Sequence, residues 1–109
     1  MNIEFKEGVS NANLHPKIYQ AIFESAKVFA FHHLILTVTS TTEKVEKRLA
    51  DSFHYEGKAF DIRTRRLETT KIVRLVEKLR TVLLPIDRNF QVIMKSDHIH
   101  IELDDRSKI

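Results

Sequence analysis

The chain contains no cysteine. No disulfide can stabilise it and no thiolate can bind a metal. Any metal site must therefore draw on His, Asp or Glu, a donor set that favours zinc or another first-row ion over an iron–sulfur cluster. The redox compartment stays open. Long hydrophobic runs are absent as well, and no apolar stretch approaches the ~20 residues that a membrane-crossing helix needs. The opening segment, Met1-Asn-Ile-Glu-Phe-Lys-Glu-Gly8, lacks the apolar centre of a secretory signal. The expectation is synthesis in the cytoplasm, with no signal peptide and no export by the ordinary route. Glycine is scarce, with only two in the chain. Aromatic residues are few among the basic positions, which leaves little platform for stacked bases.

What is present suits one domain spanning 1–109, since 42% of the 109 residues are hydrophobic and no repeat, low-complexity tract or linker interrupts them. The formal charge is +3, and much of the excess lies at Arg63, Arg65, Arg66, Lys71, Arg74, Lys78 and Arg80. Such a patch could attract nucleic acid or an anionic wall polymer. The solvated face of a loop and helix is the plainer account, and nucleic acid is not an expected partner.

Residues 14–31 have helical spacing, with Pro16 suited to the first turn and Ile18, Ile22, Phe23, Ala26, Phe29 and Ala30 forming an apolar stripe. His32 and His33 follow; adjacent histidines diverge from a helix, so they are expected as a polar helix end. Leu34 to Ser40 is expected as a strand, as is Lys58 to Arg63. The charged stretch from Thr41 to Ala50 fits a short helix or a loop. Thr69 or Thr70 can cap a second helix running to about Leu84, its apolar positions Ile72, Leu75, Val76, Leu79, Val82 and Leu83, with Pro85 ending it. Phe90 to Met94 and Ile99 to Leu103 complete the pattern as two strands turning at Lys95-Ser96-Asp97. The expected class is α+β, a small mainly antiparallel sheet with helices on one face.

Two segments stand out: Asp51-Ser-Phe-His-Tyr-Glu-Gly-Lys-Ala-Phe-Asp-Ile62 and Asp97-His-Ile-His-Ile-Glu102. A bend at Gly57 would let His54 and Asp61 turn toward one point. On a strand, His98 and His100 share a face. Asp97 would point the other way if the strand began with it, but in a turn just ahead its carboxylate can swing toward the same point. A catalytic zinc takes three protein ligands and keeps one position open, and His54, Asp61 and His100 can supply the three. A nearby carboxylate then serves as general base. A lone His-x-His says little; the ordered combination is more specific.

The segment Ser52-x-His54-x-x-Gly57-x-Ala59-x-Asp61, followed by Asp97-x-x-His100, resembles the zinc D-Ala-D-Ala carboxypeptidase and L-alanyl-D-glutamate endopeptidase family. It also resembles the amino-terminal signalling domain of Hedgehog proteins, which shares that fold. The resemblance runs from about Leu36 to Leu103. It implies a Hedgehog/DD-peptidase-like fold holding one Zn²⁺ on His54, Asp61 and His100. It also implies Asp97 as catalytic acid/base, His98 beside the metal stabilising the transition state, and Ser52 orienting the site. Such peptidases usually continue from Val-Thr-Ser into Gly-Tyr-Arg, whereas Val38-Thr39-Ser40 here leads to Thr41-Thr42-Glu43. Lys44, Lys47 and Arg48 are the candidates for the missing arginine. Hedgehog domains bind calcium here too, but 41–48 lacks the acidic density, so calcium is not carried over.

The function that the resemblance implies is a zinc metallopeptidase hydrolysing a bond in bacterial peptidoglycan stem peptides. D-Ala–D-Ala, L-Ala–D-Glu and cross-bridge bonds all remain open. A lone catalytic domain suits a phage or prophage lysis enzyme, acting at the cell wall or periplasm after release. The alternative is a Hedgehog-like zinc-containing binding module with little or no hydrolytic activity, which would not need a carboxylate at Asp97. A basic nucleic-acid-binding protein is the third reading.

Overall fold

Period-two alternation and helical spacing place the main elements close to where the sequence puts them. The computed structural model describes residues 2–44 and 48–105. In chain order they form β1 (Ile3–Phe5), α1 (Pro16–Phe31), β2 (Leu36–Ser40), β3 (Ala59–Arg63), α2 (Thr69–Leu83), β4 (Phe90–Met94) and β5 (His98–Leu103). The five strands make one sheet in the order β1-β2-β3-β5-β4. Only β1 and β2 pair in parallel; the other neighbours are antiparallel. The α+β class with a mainly antiparallel sheet is therefore present. No helix among the described residues is long and apolar enough to cross a membrane.

The two faces of the sheet differ because side chains alternate along each strand. Phe60, Ile62, Ile99, Ile101 and Leu103 point to one face and are fully buried, with Leu36 and Val38 from β2. Ile18, Ala21, Ile22, Ala26 and Phe29 of α1 and Leu75, Val76, Leu79 and Leu83 of α2 complete this core. Each large apolar side chain removed from water there contributes roughly 1.5–3 kcal/mol. The other face carries Asp61 and Arg63 of β3 and His98, His100 and Glu102 of β5. The register sets Asp61 opposite His100 and Arg63 opposite His98. A slip of one residue would exchange these polar side chains with the core isoleucines, so burial of the apolar face fixes the register.

Several local expectations need correction. Phe23, counted in the apolar stripe of α1, is 43% exposed, while Ala21 and Val28 supply buried surface instead. Neither Thr69 nor Thr70 caps α2: Glu68 occupies the N-cap without a side-chain bond, and Thr69 is the first helical residue. His15 caps α1, its Nδ1 accepting the Lys17 N–H at 3.1 Å. His32 closes that helix and His33 follows in the left-handed region at φ 60°, so both belong to a helix end as expected. Residues 41–44 and 48–50 contain no helix. Strand β1 had no sequence signal: its three residues, Ile-Glu-Phe, are too few to display a period, and its first two are exposed.

Of the two glycines, Gly57 is the one held in a close backbone approach. Its φ is +70°, and a Cβ built there would lie 2.8 Å from the Asn13 carbonyl oxygen and 3.3 Å from Leu14 Cα. Its own carbonyl accepts the His15 N–H at 2.9 Å. The 53–57 turn is thereby seated against the entry to α1. Gly57→Ala is expected to cost about 2–5 kcal/mol, combining left-handed strain with backbone overlap. Gly8 has φ +86° but open space around it, so Gly8→Ala should cost only the strain. Urea titration of both variants checks this; equal losses would show that the close approach at Gly57 is unimportant.

Candidate metal centre

Adjacent strands and one loop bring the candidate ligands together. Asp61 and His100 face each other directly across β3 and β5. His54 arrives from the 53–57 turn and is buried. The step along β2 from Val38 to Ser40 spans two residues against one on β3, Ile62 to Asp61. This irregularity sets Ser40 opposite Asp61; bulges of this kind re-aim side chains near functional sites.

Asp61 is the hub. His100 Nδ1 lies 2.8 Å from Asp61 Oδ1, and His54 Nε2 lies 3.3 Å from the same oxygen. His98 Nε2 stands 3.7 Å from Asp61 Oδ2. One donor atom from each of His54, Asp61 and His100 lies within 4.8 Å of the others. A tetrahedral zinc with ligand bonds of about 2.0–2.1 Å separates its ligand atoms by about 3.3 Å, so small adjustments suffice.

The outer nitrogens of both imidazoles are already committed. The Thr41 carbonyl faces His54 Nδ1 at 2.8 Å. A carbonyl can only accept, so Nδ1 carries a proton and, when the ring is neutral, Nε2 turns its lone pair toward Asp61. Glu102 Oε1 faces His100 Nε2 at 2.7 Å, which likewise assigns Nδ1 to the site when the ring is neutral. Ligating histidines commonly donate their second nitrogen to a carbonyl or carboxylate in this way. These residues fit a zinc ion by donor type, spacing and tautomer.

The electrostatics follow from the same contacts. Burial opposes ionisation of Asp61, but hydrogen bonds from His100 and His54 and the nearby imidazole charge outweigh it and hold the carboxyl far below the usual range. For His100, burial disfavours the cation, yet the carboxylates of Asp61 and Glu102 on its two nitrogens outweigh burial and raise its pKa.

The remaining candidates surround this centre. Ser52 Oγ accepts the His54 N–H at 3.2 Å, a contact that shapes the turn. Asp97 is 80% exposed, and its Oδ1 lies 2.6 Å from His98 Nδ1. That hydrogen bond, with the neighbouring imidazole charge, lowers the Asp97 pKa. Asp97, His98 and Asp61 line a cavity of about 650 Å³. His100, Glu102 and Ser52 line a second of about 340 Å³. Arg48 lines both. Its guanidinium donates to Ser40 Oγ at 2.5 Å and to the Glu43 carbonyl at 2.8 Å. Of the three cations considered for the absent arginine, Arg48 reaches the site, Lys44 is exposed and lines neither cavity, and Lys47 lies outside the described residues.

No protein-family model matches the chain, and no curated protein matches it in sequence.

The sequence alone offers no role for Thr41 or Glu43, and none for Glu102 as the partner of His100. The placement of Glu102 was legible, because a residue two beyond His100 on a strand shares its face. Thr41 was not, because it acts through its backbone carbonyl. Glu43 binds the Ser40 hydroxyl and accepts the Thr41 N–H at 2.6 Å, tying down the same loop.

Two outcomes are expected. Glu102→Ala should weaken zinc binding by about 10–100-fold with the fold intact, measured by competition with a chelating dye. The second concerns pH. In chelated protein the fold favours protonated His100. That stabilisation is full below the ordinary value of 6.5 and is lost as pH rises through the raised one. Zinc needs the neutral ring. The melting-temperature gap between zinc-loaded and chelated protein should therefore widen from about pH 5.5 to about pH 8; a gap that narrows would contradict the assignment.

Proposed function

We propose that this protein is a zinc-dependent peptidase acting on the stem peptides of bacterial peptidoglycan. The observation that carries the reading is the convergence of His54 Nε2, Asp61 Oδ1 and His100 Nδ1, with the second nitrogen of each imidazole held by an oxygen acceptor. The order and spacing of the two motifs support the peptidase and wall assignments through their resemblance to the zinc carboxypeptidases and endopeptidases. A setting in phage or prophage lysis and a Hedgehog/DD-peptidase-like fold belong to the same proposal.

Zinc held by these three residues supplies Lewis acidity toward a carbonyl and lowers the pKa of water. The chain's own groups do the rest. Asp97, ionised and facing the cavity, accepts the proton of the attacking water and passes it to the leaving amine. His98 is held at Nδ1 by Asp97 and presents its other nitrogen toward Asp61, where a protonated ring can offset charge growing on the carbonyl oxygen. Ser52, engaged with the His54 backbone, orients and does not attack. One observation favours the alternative of a zinc-containing binding module: the Asp97 carboxylate is directed to its neighbour His98 and is largely in solvent.

Paired zinc analysis and mass spectrometry of muropeptide digests test both readings. The parent should bind one zinc and cleave. Asp97→Asn should keep zinc and fold but lose about 10²–10⁴-fold in turnover. His100→Ala should lose metal and turnover together. A parent that binds zinc and cleaves no muropeptide would favour the binding module, and one that binds no zinc would end both readings.

A further inference from the structure

The larger cavity beside the ligand triad has an uneven distribution of charge. Lys6, Arg63 and Arg65 all line it. Arg63 sits two residues beyond Asp61 on the open face of β3 and opposite His98 in register. Arg65 lies with Arg66, which has φ 69°, in the turn that follows β3. Lys6 is placed by its backbone, whose N–H donates to the Val38 carbonyl at 2.9 Å, carrying the chain along the edge of β2. None of these three side chains has a hydrogen-bond or ion-pair partner among the described residues. Other cations do: Lys17 pairs with Asp87, Lys58 with Asp105 and Arg48 with Glu43. Of the cavity's four acids, Asp61 is surrounded by imidazoles, Asp97 is engaged by His98 and Glu43 is paired with Arg48, which leaves Glu7 against Lys6, Arg63 and Arg65.

We propose that this cavity is a carboxylate-binding subsite, in which Arg63 and Arg65, aided by Lys6, select peptides carrying an anionic group next to the bond presented to the triad. The proposal rests on the peptidase reading and names its substrate class. Guanidinium groups match carboxylates in geometry and form short charge-assisted bonds with them. Unpaired like charges around one cavity repel each other until an anion enters. The second cavity argues for a peptide over a polyanion, because Asp51 and Glu102 line it together with Arg48. A nucleic-acid strand carries charge at every unit and would meet those carboxylates, whereas a peptide can place its charge on one side only.

The test uses zinc-loaded protein and four peptides of one sequence: acidic side chain with free terminus, side chain neutralised by Glu→Gln, terminus amidated, and both neutralised. Affinity is read by calorimetry with a non-cleavable version, and KM and kcat are read separately on the cleavable one. Loss of the relevant carboxylate should weaken binding and raise KM by about 10–100-fold with kcat little changed. The singly neutralised peptides tell whether the side chain or the terminus supplies it. Arg63→Gln with Arg65→Gln should erase the preference while zinc content and melting temperature hold, and Lys6→Gln, outside the central strands, should reduce it. Equal binding of all four peptides, a preference that survives the double variant, or tighter binding of a single-stranded oligonucleotide than of the acidic peptide would overturn the proposal. If nothing is cleaved but the acidic peptide still binds in an arginine-dependent way, the peptidase reading fails and the subsite stands.

Discussion

The carboxylate of Asp61 lies between three imidazoles, those of His54, His98 and His100, on the open face of a sheet whose other face is the core. A carboxylate this deep is costly unless it is ionised against positive or donating partners. Each imidazole supplies part of that compensation and is in turn fixed by a second contact. The arrangement depends on strand register, because Asp61 and His100 meet only while Phe60, Ile62, Ile99 and Ile101 face the helices. Core packing and site geometry are thus two outcomes of one alternation pattern. A mutation in the core of β3 or β5 can reach the site without touching it.

The third candidate ligand is held differently. His54 does not lie on the sheet, so its position comes from the chain between β2 and β3. There, Gly57 packs against the entry to α1 and Ser52 bonds the His54 backbone. Thr41 is buried and its hydroxyl donates to the Ser10 carbonyl at 2.7 Å. Glu43 and Arg48 bind each other and Ser40. These contacts join the start of the chain, the loop and His54 into one support.

The two helices and four of the five strands were legible because each shows enough periods of its pattern. The convergence of His54, Asp61 and His100 was legible because glycine, histidine and aspartate stand in an informative order. What escaped did so for definite reasons. β1 has three residues and no visible period. The cap of α1 is a histidine, which seldom announces a cap, and Glu68 begins α2 without capping it by its side chain. Arg63 and Arg65 could be read as part of a basic run, yet alternation along β3 and the following turn separate them from Arg74 and Lys78. Those two line a shallow hollow by His32 instead. A linear charge run thus divides in space into a site-facing part and a solvated part.

The carbonyl that orients His54 belongs to the main chain at Thr41. Main-chain contacts are indifferent to the side chain that decorates them. Any residue able to follow the same path at that position would present the same acceptor to the imidazole. At position 41 the letter therefore records the hydroxyl contact to Ser10 and not the carbonyl that sets the tautomer of His54. The contact that sets the imidazole is thus written in the path of the chain, while the path itself is held by the side chains of Thr41, Glu43 and Arg48.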